Sequence, residues 1–197
     1  MVTRVLAERN RMLKIKNAMV LWACGLACSA AWADRAQDWD RASGVMAVGL
    51  PVLAGMVTVA RQDTQGAQQL ALSVGSAVAA SEVLKRTVHA TRPDGSDQRS
   101  FPSRHAAVAF SAAAFLDQRY GQEYKAWVPA AYGVAALTGV ARVESDRHRW
   151  VDVLAGAALG WGSTRLWTTP DAHARTSSRL SVLPAPGGLA IGWAAVF

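Results

Sequence analysis

The chain of 197 residues is 51% hydrophobic and 18% charged, which excludes a disordered polymer and supplies enough apolar surface for one sizeable core. Its net charge of +7 is concentrated at the start: residues 1–33 carry five basic side chains against Glu8, and residues 34–197 carry 16 basic and 13 acidic ones. With no long basic run, a nucleic-acid partner is disfavoured. Ala and Gly dominate over Tyr (3) and Phe (4), a composition that suits helices packed backbone to backbone. The mean hydropathy of +0.11 lies between that of a soluble domain and that of a multi-span membrane protein.

Lys14 and Lys16 precede an uncharged run, residues 17–33, that ends Ala31-Trp32-Ala33 before Asp34. Basic segment, short apolar segment and small-residue end predict a secretory signal over 1–33, cut after Ala33. The competing reading is an uncleaved first helix, since 17 apolar residues are short for a membrane span but sufficient. Both cysteines, Cys24 and Cys28, fall in this segment, so the remaining chain has neither a disulfide nor a cysteine metal site.

Beyond it, residues 42–60 are an uncharged 19-residue run, and 61–69 read as a linker or turn. A helix over 70–90 is expected to end near Thr91-Arg92-Pro93, because proline disfavours helix in the residue before it. Residues 94–100 carry turn chemistry. Ser103 is placed to cap a helix over 106–120. A turn at 121–125 leads to a helix over 126–143 with an internal Pro129, and the polar stretch 144–149 precedes a last helix over 150–167. The expected fold is all-α, a compact bundle of five to six helices occupying 34–169. In the remainder, 170–197, alternation at Leu189, Ile191, Trp193, Ala195 and Phe197 after Gly187-Gly188 predicts a small β-hairpin behind a polar linker.

Polar residues collect in three clusters at predicted helix ends. Lys85 and Arg92 can converge on one anion, the first as a point charge and the second as a planar fork; cations at a helix carboxyl end also suit the helix dipole alone. Ser103, Arg104 and His105 open a helix, where free N–H groups attract anions and a histidine can act as an acid. Arg142, His148 and Asp152 form the third cluster. His148 and Asp152 are four apart, and a carboxylate on one imidazole nitrogen leaves the other free as nucleophile or base. Glu144, His148 and Asp152 also share a helical spacing, which raises a metal site as an alternative; the arginines at 104, 142, 147 and 149 oppose it by repelling a cation. His89 and His173 have no assigned role.

Together the clusters resemble the phosphatidic acid phosphatase type 2 superfamily, which includes bacterial acid phosphatases and vanadium haloperoxidases. The family pattern is K-x6-R-P, then P-S-G-H, then S-R-x5-H-x3-D. Lys85 to Arg92-Pro93 fits the first motif. Pro102-Ser103-Arg104-His105 fits the second except at the glycine, and Ala141-Arg142, His148 and Asp152 fit the third except at the serine. The resemblance implies a phosphatase that needs no metal or other cofactor. It assigns His148 as nucleophile forming a phosphohistidine, Asp152 as its orienting group and His105 as proton donor to the leaving oxygen. Lys85, Arg92, Ser103, Arg104 and Arg142 are the phosphate-binding set, Arg104 entering either as a fourth cation or as an obstruction where the family has glycine.

The implied substrate is a phosphorylated lipid or a small phosphomonoester, with membrane association. The location expected from the signal segment is the bacterial cell envelope, in the periplasm or on the periplasmic face of the inner membrane. The alternatives are a catalytically weakened or inactive envelope member and a vanadate-dependent haloperoxidase.

Overall fold

The computed structural model describes residues 35–123, 125–171, 179–185 and 188–194. The signal segment, Cys24, Cys28 and His173 lie outside these residues. Five helices are found among those described: α1 (Arg35–Ala60), α2 (Thr64–Thr87), α3 (Arg104–Tyr120), α4 (Val128–Glu144) and α5 (Trp150–Trp167). The all-α bundle is the expected one. The predicted hairpin is present as β1 (Arg179–Ala185) and β2 (Gly188–Ala194), paired antiparallel from Arg179 opposite Ala194 to Ala185 opposite Gly188.

Several boundaries differ from expectation, each for a local reason. The expected linker at 61–69 contracts to three residues, because the Asp63 side chain accepts from the Gly66 amide and starts α2 early. Helix α2 stops at Thr87, before the proline-restricted stretch. Ser103 caps α3 as expected. Pro129 is not internal: it lies in the first turn of α4, where a missing N–H costs nothing.

Helix α3 is the axis. Ala106, Ala107, Ala109, Ala112, Ala113 and Phe115 are fully buried, so it is enclosed on nearly every side. The other helices each turn one stripe toward it. On α1 the stripe is Ser43, Ala47, Leu50, Ala54 and Thr58; on α2 it is Gln69, Ser73, Ala77, Ser81 and Lys85. Spacings of three and four residues put each set on one helical face. Two glycines on α5 face the α3 backbone. A methyl group at Gly156 would stand 2.3 Å from the Ser103 carbonyl oxygen, and one at Gly160 would stand 2.1 Å from that of Ala107. Small hydroxyls close the remaining interhelical contacts, Ser111 with Thr164 and Ser73 with Thr168, each at 3.1 Å.

The outer surface is also apolar. Val45, Val48, Met56 and Val59 on α1, Leu137 on α4, and Leu154, Trp161 and Leu166 on α5 are exposed. Among the described residues, α1 is the one helix long and apolar enough to cross a membrane. Its 26 residues span about 39 Å against a hydrocarbon thickness of about 30 Å. Charge gathers at the two ends of the bundle. At one end Arg119 holds Asp63 through two bonds of 2.8 and 2.7 Å, and Tyr120 donates to the same carboxylate at 2.7 Å. The Arg119 guanidinium keeps the Asp63 carboxyl far below the usual range. The other end holds all three clusters singled out in the sequence.

Candidate active site

The inward stripes explain how the site is assembled. Lys85 is the last member of the α2 stripe, and Arg142 ends the α4 stripe begun by Ala131, Ala135 and Thr138. Helix α3 begins here with Arg104 and His105, and α5 begins here just after His148. Five chain segments therefore deliver polar groups to one end of the bundle, around a cavity of about 210 Å³. Lys85, Arg92, Arg104, His105, Arg142 and His148 all line it.

Ser103 and Asp152 do not line the cavity; both are buried behind it. The Ser103 side chain accepts from the Ala106 amide at 3.4 Å, and its own amide donates to the Asp152 carbonyl at 2.9 Å. These bonds tie the start of α3 to the start of α5. His148 precedes α5 rather than sharing its face with Asp152, because the helix begins at Trp150 behind an N-cap at Arg149. The Asp152 carboxylate folds back to accept from the Arg149 amide at 2.9 Å, and its Oδ2 stands 3.7 Å from His148 Nδ1. Glu144 is exposed and lines a separate depression with Arg35 and Trp39, so the three-residue metal alternative is not assembled.

Four site residues escaped the sequence reading. Ser100 is buried; its Oγ donates to Asp152 Oδ2 at 2.5 Å and lies 3.5 Å from His148 Nδ1. Asp97 accepts from Arg92 Nε at 2.8 Å, and Glu82 pairs with Arg99 at the cavity wall. Turn chemistry at 94–100 announced a loop, but not that the loop returns to pair Arg99 with Ala90 and cover the site. That closure leads Lys85 Nζ to the carbonyls of Arg99 at 2.6 Å and Ser100 at 3.4 Å.

Electrostatics follow from burial and crowded cations. Burial, reinforced by Arg142, Lys85 and Arg92, lowers the pKa of His148 to about 3. Burial, with Arg142 and Arg104, lowers that of His105 to about 4. Burial and the charges of Arg92 and Arg104 bring Lys85 down to about 8. At neutral pH both imidazoles are uncharged, with Nδ1 of His148 turned to Ser100 and Asp152. Arg104 is exposed at the rim and makes no ion pair among the described residues. Chemically, such a cluster of cations can receive an anion, and an uncharged imidazole in its wall can act as a nucleophile.

Residues 66–173 match the profile of the PAP2 superfamily, more than half of the chain, and the chain belongs to that superfamily. Two curated relatives are similar to it over part of their length. It is 33% identical over 133 residues to a lipid A 4'-phosphatase of Helicobacter pylori, covering 61% of this chain and 65% of that one. It is 44% identical over 69 residues to a lipid A 1-phosphatase of Porphyromonas gingivalis, covering 35% of this chain and 16% of that one. The chain thus spans just under two thirds of the first relative and a small part of the second. In fold it is similar to the transmembrane PAP2 type phosphatidylglycerolphosphate phosphatase of Bacillus subtilis. That match has a TM-score of 0.51 and 24% identity, and covers 71% of this chain and 84% of that one.

Proposed function

We propose that the protein removes a phosphate group from a membrane lipid, as a monoester or diphosphate, without a metal ion and through a phosphohistidine on His148. The observation that carries this reading is the convergence of two neutral imidazoles and the cations Lys85, Arg92 and Arg142 on one cavity. Nε2 of His148 attacks phosphorus, because Nδ1 faces Asp152 and Ser100. The bond from phosphorus to the leaving oxygen breaks, and His105 supplies that oxygen with a proton. Water then attacks the phosphohistidine, gives its proton to His105, and releases inorganic phosphate from a regenerated His148. Phosphoryl transfer depends on positioning and on neutralising the equatorial oxygens, which the three cations supply. Burial and the neighbouring arginines keep His105 neutral; a phosphoryl anion beside it offsets that positive charge and favours its protonated form.

A lipid substrate is supported by the apolar outer faces of the bundle, by the membrane-length α1 and by the activities of the relatives. The cationic end then lies at the lipid–water boundary, on the periplasmic side of the inner membrane if residues 17–33 act as an export signal or first span. Arg104 extends the positive surface past the three motif cations. It favours substrates with a second negative group beside the scissile one, such as a diphosphate.

The decisive assay measures phosphate release from p-nitrophenyl phosphate, phosphatidic acid, undecaprenyl diphosphate and lipid A in EDTA. Wild type is compared with His148→Ala. EDTA-resistant release that vanishes in the variant supports the reading. Loss of activity with chelator would overturn the metal-independent step, and silence on every substrate would assign the chain a non-catalytic binding role.

A further inference from the structure

Arg142 is almost fully buried, and its guanidinium is divided between two tasks. Nη1 donates to Asp40 Oδ1 and to Ser43 Oγ, the latter at 3.1 Å. Nε is buried with no hydrogen-bond partner among the described residues. Nε and Nη2 form one edge of the planar fork, the edge that binds a phosphate or carboxylate through two parallel bonds. The free edge belongs to a residue that lines the cavity. A buried guanidinium N–H without an acceptor is costly, and a bound oxyanion removes that cost.

Both residues that hold the opposite edge come from α1. Ser43 opens its inward stripe and Asp40, half-buried, lies about one turn before it; Asp40 is 102 positions from Arg142 in sequence. Asp40 has a second cation: its Oδ2 lies 3.3 Å from Arg147 Nη2, and Arg147 Nη1 bonds Asp94 Oδ2 at 3.0 Å. The chain Asp94–Arg147–Asp40–Arg142 therefore links the 94–100 loop, the segment between α4 and α5, and α1. Helix α1 lies outside residues 66–173, the part of the chain that matches the superfamily.

We propose that Asp40 and Ser43 are positioning residues for phosphate recognition: they fix the outer edge of the Arg142 guanidinium so that its Nε and Nη2 edge is presented to two oxygens of the phosphoryl group. This rests on the phosphatase reading only for the identity of the anion. Fixing the fork before the ligand arrives lowers the entropy lost on binding, and Asp40 keeps two neighbouring guanidiniums from repelling one another. Helix α1 is on this account a wall of the site as well as a membrane-length helix.

The test uses the full chain in detergent, with inorganic phosphate as the probe by calorimetric titration, and p-nitrophenyl phosphate for KM and kcat. Asp40→Asn keeps the shape and removes the charge. It is expected to weaken phosphate binding about tenfold and to raise KM more than it lowers kcat, on the scale of one charge-assisted hydrogen bond. Asp40→Glu should restore part of the affinity, which a purely structural role does not predict. Ser43→Ala, a smaller change, should weaken phosphate about twofold to threefold and serves if Asp40→Asn does not fold. A phosphate affinity within twofold of wild type in Asp40→Asn, whatever its melting temperature, overturns the proposal. Phosphate binding is read separately from turnover. A wild type that binds phosphate and hydrolyses nothing refutes the phosphatase reading but leaves the Asp40 comparison decisive; a wild type that binds no phosphate refutes both.

Discussion

Ser100 Oγ donates to Asp152 Oδ2 at 2.5 Å, while that same oxygen stands 3.7 Å from His148 Nδ1. The serine thus holds the carboxylate that the imidazole needs, and it lies within 3.5 Å of the imidazole itself. Asp152 Oδ2 also accepts from the Arg149 amide at 2.9 Å, so the carboxylate caps α5 as well as facing the imidazole that the proposed mechanism uses. Asp152→Asn should lower kcat by about a hundredfold or more, the range for a lost acid–base partner. Ser100→Ala leaves Asp152 Oδ2 held by the Arg149 amide and should cost less than tenfold. Single-turnover rates on p-nitrophenyl phosphate decide this; a larger loss in Ser100→Ala than in Asp152→Asn would reverse the assignment.

Lys85 sets an alkaline limit. Its pKa, brought down to about 8 chiefly by burial, means that raising pH through 8 removes one of the cavity's cations. The profile of kcat/KM reports the free enzyme and should fall on that side, through KM. A bound phosphoryl anion stabilises the charged ammonium, so the matching limb in kcat lies at higher pH. Lys85→Arg carries a group that stays charged over the whole range and should remove the limb. A limb that persists unchanged in Lys85→Arg belongs to another group.

Arg104 stands where the superfamily motif has glycine. Its exposure at the rim, without an ion-pair partner among the described residues, favours the reading of it as a cation for the substrate over that of an obstruction. Arg104→Gly is therefore expected to raise KM several-fold, more for a diphosphate than for a monophosphate, at nearly unchanged kcat. A gain in kcat/KM on that substitution would show that the side chain crowds the pocket.

Gly156 and Gly160 bring the α5 backbone onto α3. An added methyl at either meets a carbonyl oxygen of α3, backbone rather than a flexible side chain. Gly160→Ala should destabilise the bundle by about 1–3 kcal/mol, the usual cost of overpacking, read as a lower melting temperature. Gly156→Ala should also depress activity, because the atom it strikes belongs to Ser103, next to Arg104 and His105.

Much of the site was legible because its residues sit where helical period and capping rules put them. Lys85 and Arg142 close inward stripes that alternate by three and four, and Ser103 carries the signature of a cap. His148 and Asp152 were paired correctly by spacing and wrongly by geometry, since the helix starts only after His148. Asp40, Ser100 and Asp97 were not legible. Each matters through a contact made by tertiary folding, and Asp40 reaches its partner across 102 positions. No local pattern distinguishes it from the other acidic residues near the start of α1. The expected helix boundaries erred where a single side chain, such as Asp63 at α2, began a helix earlier than hydropathy alone implied.

The contact of α3 with α5 also governs how the pocket can move. His105 follows the cap of one helix and His148 precedes the cap of the other, and between them the Ser103 amide is bonded to the Asp152 carbonyl. Two backbones touching at Gly156 and Gly160 leave no slack for these helices to part. Across the cavity, Asp97 of the 94–100 segment accepts from Arg92 Nε at 2.8 Å. If Arg92 binds the phosphoryl group as proposed, Asp97 competes for the same guanidinium, and the loop that covers the cavity also tempers the charge it offers.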